Sequence, residues 1–415
     1  MPYIQHIFHR AQDAFGGYSI GESLSEAEKT DGMTDGERLS IQERRLSALL
    51  AECFENVEAY RPYRSLRNKA KDRPFEVLDE LPAITRGVYR KNPEMYFNPG
   101  LNPGQLARGG TRMTAGYSYP VDKNARSADI ASHILTYSRL GLTYAAKHIS
   151  IRGRLPERGP VSGAVRAMKS AAARGESDLI GCCINAGMLK KYAARLADPK
   201  LGYCSGTPSV INALAVLLER NGIPVVPSYK GIMTSGETLL DYERETIRRV
   251  FGAPVYASYS TPDDGLIACE CASGTLHVID ECFIAEEIGG KIAVTNLCNR
   301  AAPRMRYVTD EAGTVADGPC ECGRGGKRII LSEDGKSPLY TAPDGRVIPG
   351  GVFDDAAGRY YNIVRYKLTQ PDPERAELSV ELRTSVAADE AAALHRRICA
   401  MMPGTLVNLR SNVAR

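Results

Sequence analysis

The chain has 415 residues, of which 43% are hydrophobic and 25% are charged, and its formal net charge is +4. This length predicts two structural units, and the small charge, with no long basic run, gives no indication of a nucleic-acid partner. The eleven irregularly spaced cysteines do not form a secreted disulfide framework. With neither an apolar run of about 18 residues nor a signal-peptide pattern, we expect a cytoplasmic protein with no membrane partner.

Helical and strand patterns alternate along the chain. Apolar residues recur at helical spacing over about 37–59, and a loop-rich segment with many glycines and prolines covers 91–119. Helical spacing returns over 125–142. From 179 to 259, short apolar strands alternate with helices, one of them over 237–250. This β-α-β rhythm predicts an α/β fold with mixed, largely parallel sheets.

A domain boundary is predicted in the polar segment that follows residue 333. Beyond it, patterns typical of strands cover 360–368 and 376–382, and a helical pattern covers 388–400. Two strands and a helix of this size predict a small α+β domain at the C-terminal side. The predicted domains are 1–334 and 337–415.

Two short segments supply four ligands that suit a transition metal. Cys271 and His277 flank the turn-forming pair Ser273-Gly274, and Cys320 and Cys322 stand in a Cys-x-Cys-Gly knuckle. Three thiols and one imidazole make a closed tetrahedral Zn²⁺ site, and nothing marks an open coordination position. The alternative is that these cysteines are small core residues, as buried cysteines often are. The sequence predicts structural zinc.

Six segments occur in the order and spacing of a known protein family. They lie at 234–239, 255–261, 276–280, 289–297, 303–307 and 320–324. Together they resemble the adenylate-forming superfamily, and within it the phenylacetate-CoA ligase branch with its CapK-type relatives. The resemblance covers most of the chain and depends on the set of segments, because no single motif would carry it.

The resemblance implies a fold and an activity. Residues 1–334 would form an AMP-binding adenylation domain that contains the zinc site, and 337–415 a mobile lid domain, truncated relative to the family. The implied reaction uses ATP and Mg²⁺ to convert a small carboxylic acid, or a related oxyacid, into its AMP anhydride. The acyl group would then pass to a thiol such as coenzyme A or to an amine. A homodimer is left open.

The glycine-rich segment around residue 110 matches the family's phosphate loop. Small residues there let backbone N–H groups and hydroxyls converge on phosphate oxygens. Gly110 and Thr111 fit this role, and Arg112, where the family has a small residue, could pair with phosphate through two hydrogen bonds. The alternative is a plain glycine-rich loop without a ligand.

Two further segments match the family's adenine pocket. The first stands at a predicted strand-to-helix turn, where a serine and a carboxylate could instead cap a helix. The second holds the tyrosine that packs against adenine in the family, and its alternative role is that of an ordinary strand aromatic. The matched residues are Ser235, Gly236, Glu237, Tyr259, Ser260 and Thr261.

Other charged positions match the metal, ribose and hinge sites of the family. Asp263 stands where the family has the glutamate that holds Mg²⁺, although aspartate reaches one methylene less far. Counting places Glu311 at the carboxylate that binds the ribose hydroxyls, and a shift of one residue would make it Asp310. Lys336 stands at the hinge. Turn carboxylates and a solvated linker lysine are the alternatives.

One departure from the family concerns the C-terminal lysine that family members place against the α-phosphate. After Lys336 this sequence holds one lysine, Lys367, inside a predicted strand. Either Arg112 or Arg415 supplies the positive charge, or adenylation is slow, or the chemistry has changed. A degenerate, non-catalytic member that binds a nucleotide or a partner is therefore the alternative function.

Overall fold

A computed structural model describes the chain over residues 13–14, 16–114, 117–153, 175–181, 184, 186–261, 264–332, 339–357, 360 and 362–413. The chain divides into two compact units, each assembled from separate stretches. Residues 1–113, 117–145 and 256–334 belong to the first unit, and 114–116, 146–255 and 335–415 to the second.

The α-helices are α1 Ile20–Asp31, α2 Asp35–Asn56, α3 Lys69–Asp72, α4 Pro74–Glu80, α5 Arg86–Lys91, α6 Lys123–Arg139, α7 Ala186–Leu196, α8 Pro208–Arg220, α9 Asp241–Phe251, α10 Gly350–Ala357 and α11 Ala388–Met401. Short 3-10 helices cover Glu58–Arg67, Pro93–Tyr96, Pro103–Gln105 and Ser385–Ala387.

The strands are β1 Ile84–Thr85, β2 Leu106–Thr114, β3 Tyr117–Asp122, β4 His148–Arg152, β5 Glu176–Ile180, β6 Tyr203–Gly206, β7 Ile232–Ser235, β8 Val255–Thr261, β9 Gly265–Glu270, β10 Leu276–Val278, β11 Phe283–Ile288, β12 Lys291–Asn296, β13 Tyr307–Ala316, β14 Arg328–Leu331, β15 Leu339–Thr341, β16 Val347–Pro349, β17 Ile363–Asp372, β18 Arg375–Leu382 and β19 Leu406–Val413.

Helix α2 confirms the first predicted helix. Thr34 caps it, because the Thr34 hydroxyl accepts from the Glu37 N–H at 3.4 Å and the Glu37 carboxylate accepts from the Thr34 N–H at 2.8 Å. This reciprocal capping satisfies N–H groups that the first turn leaves open. The apolar face, with Leu46, Leu50 and Phe54, is fully buried in a cluster that includes Met305.

The sheet of the first unit is antiparallel. Its strands lie side by side in the order β11, β12, β13, β14, β10, β9 and β8, and the short β1 adds in parallel to β13. Strand β10 therefore pairs with β9 on one side and with β14 on the other, and His277 lies opposite Cys269 and Arg328. This register brings the β9–β10 turn and the β13–β14 connection to neighbouring positions.

The parallel strands belong to the second unit. β4 pairs with both β5 and β6, and β6 pairs with β7, all in parallel. Pro208 opens α8, where its missing N–H costs nothing, and Gly252 ends α9 in the left-handed conformation with φ 61°. The helix predicted over 237–250 begins only at Asp241, because Leu240 before it is extended.

A separate small sheet forms the C-terminal part of the chain. β18 pairs with β17 in antiparallel and with β19 in parallel, and α11 packs against β18 and β19. Together with the parallel and antiparallel strands of the large sheet, this confirms the predicted fold class, a large α/β fold with a small α+β element. The predicted division into 1–334 and 337–415 stays a prediction, since residues 333–338 lie outside the described part.

None of the helices in the described residues has both the length and the apolar character needed to cross a membrane.

Candidate functional site

The four predicted metal ligands come together in the first unit. The ligand atoms of Cys271, His277, Cys320 and Cys322 all lie within 4.8 Å of one another. The Sγ atoms of Cys271 and Cys320 are 3.8 Å apart, and Cys322 Sγ lies 3.3 Å from His277 Nε2. All three cysteines are free thiols.

Two tight turns hold these ligands. In the β9–β10 turn, Gly274 with φ 76° donates its N–H to the Cys271 carbonyl at 3.0 Å. In the knuckle, Gly323 with φ 84° donates to the Cys320 carbonyl at 2.9 Å, and the Cys320 N–H donates to Arg324 at 3.1 Å. Glycine takes up such left-handed backbone without strain, which explains the Ser-Gly and Cys-Gly pairs of the sequence.

The spacing of the ligands fits a tetrahedral ion. With Zn–S bonds of about 2.3 Å and Zn–N bonds of about 2.0 Å, tetrahedral geometry separates two sulfurs by about 3.8 Å and a sulfur and a nitrogen by about 3.5 Å. The observed distances are 3.8 and 3.3 Å. The donor set and the geometry therefore match a closed zinc site.

The local electrostatics favour the metal-binding protonation state at His277 and Cys320, whereas burial raises the pKa of Cys322 to about 11. Burial, reinforced by the Arg324 charge, lowers the pKa of His277 to about 4, so the imidazole is neutral. Burial alone would raise the pKa of Cys320, but hydrogen bonds from the Cys322 backbone and from Thr275 outweigh it and lower that pKa to about 7. A neutral imidazole and a thiolate are the forms that coordinate zinc.

The predicted adenine and ribose residues of the first unit also meet. Tyr259 donates its hydroxyl to Thr309 Oγ1 at 2.9 Å and approaches Glu311 Oε2 at 3.3 Å. Tyr259 is 5% exposed, and burial together with the Glu311 charge raises its pKa. Side chains alternate between the faces of β13, so Thr309 and Glu311 share the face toward Tyr259. The Asp310 side chain lies outside the described part.

Thr261, the last residue of β8, contacts a buried ion pair that the sequence analysis missed. Asp264 accepts from Arg304 Nη2 at 2.7 Å, and both side chains are 1% exposed. The Thr261 hydroxyl donates to the other Asp264 oxygen at 3.0 Å, and Asn296 adds a contact at 3.3 Å. The predicted Mg²⁺ ligand Asp263 lies outside the described residues.

Arg304 is held by aromatic rings as well as by charge. Its guanidinium carbon lies 4.7 Å from the ring centre of Tyr307 and 5.3 Å from those of Tyr89 and Tyr119. Such contacts stabilise a desolvated cation. In the sequence, Arg304 lies in the run Pro303-Arg304-Met305-Arg306-Tyr307. This run contributed only to the family resemblance and gave Arg304 no role of its own.

In the second unit, Glu237 has a structural role at the beginning of α8. Its Oε2 accepts from the Ser209 N–H at 3.3 Å, so the carboxylate lies at a helix N-terminus, where negative charge is stabilised. A Cβ at Gly351 would come within 1.7 Å of Glu237 Oε1. Ser235 ends β7, and Gly236 turns the chain with φ 88°. The carboxylate thus caps a helix, although a different one from that expected.

The predicted phosphate loop is a strand in the described backbone. Gly110, Thr111 and Arg112 lie within β2, which pairs with β3 in a two-stranded sheet, so the predicted loop over 91–119 is wrong at this point. The side chains of these residues, and all of Lys336, lie outside the described part.

Solved structures with similar folds are acyl-CoA ligases. No family model and no curated protein matches this sequence. A 2-hydroxyisobutyryl-CoA ligase in its postadenylation state is 16% identical and superposes with a TM-score of 0.58, over 92% of this chain and 87% of that one. The same ligase with 2-HIB-AMP and CoA in its thioesterification state gives 0.57 at 16% identity, over 93% and 89%. Its open conformation gives 0.53 at 16% identity, over 90% and 88%. These likenesses show a common fold.

Proposed function

We propose that this protein is an adenylate-forming ligase of the phenylacetate-CoA ligase type. It would react a small carboxylic acid, or a related oxyacid, with ATP to form the AMP anhydride and pyrophosphate. The acyl group would then pass to a thiol such as coenzyme A, with an amine as the second acceptor class. Activation is chemically useful because AMP leaves far more readily than the oxide of a carboxylate.

The pairing of Tyr259 with Glu311 is the observation that carries this proposal. The sequence matches both residues to the same nucleotide, Tyr259 to its adenine and Glu311 to its ribose. They lie 52 positions apart in the chain, yet the Tyr259 hydroxyl is 3.3 Å from Glu311 Oε2. The similar fold, which covers 92% of the chain and belongs to a ligase solved with an acyl-AMP, supports it further. In the proposal, the Tyr259 ring packs against adenine and the Glu311 carboxylate accepts hydrogen bonds from the ribose hydroxyls.

The remaining groups are assigned supporting roles. Arg112 would compensate the charge that develops on the phosphates, as a preorganised cation does. Asp263 would hold Mg²⁺, which would offset the negative charge of the phosphates. Cys271, His277 and the knuckle Cys320 and Cys322 would hold zinc, which stabilises the fold and takes no part in the reaction, because four protein ligands leave no open position.

ATP–pyrophosphate exchange over a panel of aromatic and aliphatic acids tests the proposal, followed by release of AMP when coenzyme A is added. We expect at least one acid to support exchange. Glu311→Gln should raise the KM for ATP by roughly tenfold to a hundredfold, since a hydrogen bond to a charged group is worth about 1.5–3 kcal/mol. Glu287→Gln, an exposed carboxylate on β11, is the matched control and should change nothing.

The second candidate is a non-catalytic protein that keeps the fold and binds a nucleotide or a partner. It is favoured by Glu237, whose carboxylate is occupied at the start of α8. The ligase proposal would be overturned if no acid of the panel supported ATP–pyrophosphate exchange and if calorimetry showed the same ATP affinity for Glu311→Gln as for the wild type. ATP binding that depends on Glu311 without exchange would support the second candidate.

A further inference from the structure

Two thiols outside the candidate metal centre form a pair. Cys282 immediately precedes β11, and Cys298 follows β12, the strand that pairs with it. The Leu297 N–H donates to the Cys282 carbonyl at 2.8 Å, so the antiparallel pairing continues to this end of the strands. Both thiols also line one small cavity together with Ser132. The fold therefore brings the two cysteines to neighbouring positions.

The surroundings shift the pKa values of the two thiols in opposite directions. Arg45 Nη1 lies 3.6 Å from Cys298 Sγ, and the same guanidinium is held by Glu26 at 2.6 Å and by the Glu281 carbonyl. The neighbouring Cys282 thiol and the Arg45 charge lower the pKa of Cys298 against the effect of burial, whereas the pKa of Cys282 is raised. Cys298 is therefore the nucleophile, because the thiolate is the reactive form.

Small molecules can reach this pair. Both thiols and Arg45 line a cavity of about 610 Å³ bounded by α1, α2 and α6. Cys282 is 4% exposed, and Cys298 is half-buried at the cavity wall. Ser132 Oγ lies 4.0 Å from Cys282 Sγ and supplies a polar neighbour. An oxidant the size of hydrogen peroxide has ample room beside Cys298.

We propose that Cys298 and Cys282 form a peroxide-reactive dithiol, a site of reversible disulfide modification. The Cys298 thiolate attacks one oxygen of hydrogen peroxide, an S–O bond forms, the O–O bond breaks, and the departing hydroxide takes up a proton as water. The Cys282 thiol then attacks the sulfenic sulfur, an S–S bond forms, and the S–O bond breaks with release of a second water. Two thiols supply the two electrons, and an external thiol reductant reverses the change.

Peptide mapping of the full chain tests this pairing. Trypsin cuts after Lys291 and Arg300, so Cys298 lies alone in 292–300 and Cys282 lies in 250–291. After peroxide treatment and alkylation under denaturing conditions, these two peptides should appear joined, and reduction should separate them. Because 250–291 also holds Cys269 and Cys271, fragment-ion sequencing must assign the bond to Cys282.

Variants separate a reactive pair from two packed core cysteines. Cys282→Ser should abolish the link and leave a sulfenic acid at Cys298 that dimedone traps. Arg45→Gln should slow the reaction of Cys298 about three- to fourfold for each unit by which its pKa rises, since a less acidic thiol is scarcer as thiolate but more nucleophilic. Arg45→Lys should keep most of the rate, and Arg44→Gln, an exposed neighbour on α2, is the matched control.

Three results would overturn the proposal. One is the absence of the joined peptides in the wild-type chain, and another is an assignment of the bond to Cys269 or Cys271. The third is a Cys298 that reacts no faster than Cys204, whose pKa burial raises to about 12. The dimedone experiment on Cys282→Ser keeps the test decisive if Arg45→Gln does not fold.

Discussion

Replacing Asp264 by Asn should destabilise the protein strongly. The substitution keeps the size of the side chain and the contact with Thr261, but removes the charge 2.7 Å from Arg304. Both side chains are 1% exposed, so water cannot compensate the guanidinium. Removing one partner of a buried ion pair costs about 3–5 kcal/mol, mostly because the other charge stays buried. This is a large share of an ordinary stability of about 5–15 kcal/mol.

Urea unfolding of four chains measures the effect: wild type, Asp264→Asn, Arg304→Met and the double variant. We expect the double variant to lose less free energy of unfolding than the two single losses together, because it leaves no unpaired charge. The control is Glu219→Gln, which breaks an exposed pair with Arg249 at 2.9 Å, where both partners are about half exposed. That change should cost about 0.2–1 kcal/mol.

The reasoning fails if Asp264→Asn lowers the free energy of unfolding no more than Glu219→Gln does. It also fails if the double variant loses as much free energy of unfolding as the two single variants together. The same variant, Asp264→Asn, carries a functional consequence, since Asp264 bonds Thr261, two residues after Tyr259 in β8. Under the proposed function, Asp264→Asn should raise the KM for ATP at temperatures where the protein stays folded.

The remaining predictions concern the metal, one carboxylate and one arginine. Elemental analysis of protein purified without chelator should find about one zinc per chain, and Cys320→Ser should lower that content and the melting temperature, whereas Cys399→Ser should not. Burial, with the Glu237 charge, raises the pKa of Glu243 from 4.5 to about 7, so the native state holds an extra proton in between and stability falls as pH rises through this window. At pH 8, Glu243→Gln should therefore recover up to about 3 kcal/mol in urea unfolding, and a flat difference between pH 5 and 8 would contradict this. Arg112→Ala should slow pyrophosphate exchange about a hundredfold, and full exchange in that variant would exclude the role given to Arg112.

Sequence reasoning worked best where the chemistry is local. The zinc ligands were predictable because each pair lies on a short turn, with Gly274 and Gly323 at the positions that need positive φ. The two pairs of ligands can then meet if both turns lie at the same end of one sheet. The capped helix α2 was predictable for the same reason, since Thr34 and Glu37 are three residues apart.

Interactions across long sequence distances were not predictable in this way. The pair Arg304–Asp264 spans 40 residues, and nothing in either segment indicates that both charges are buried. Nothing in the sequence relates Cys282 to Cys298, which come together only through the pairing of β11 with β12. The error at β2 has a different origin, since glycines typical of loops lie in a strand whose partner β3 supplies the pairing.

The first unit combines stretches from the beginning of the chain with residues 256–334, and this has a consequence for synthesis on the ribosome. The Tyr60 hydroxyl, just after α2, donates to the Pro303 carbonyl 243 residues later, and the apolar face of α2 is buried with residues of that same region. At about 5–20 residues per second, Tyr60 leaves the ribosome about 12–50 seconds before Pro303 exists. During this interval the apolar cluster around α2 lacks its late members, Ile284, Leu297, Met305 and Tyr307, and the surface that they cover stays exposed. A nascent chain halted before residue 284 should therefore bind chaperones that recognise exposed apolar helices, and one halted after 334 should release them.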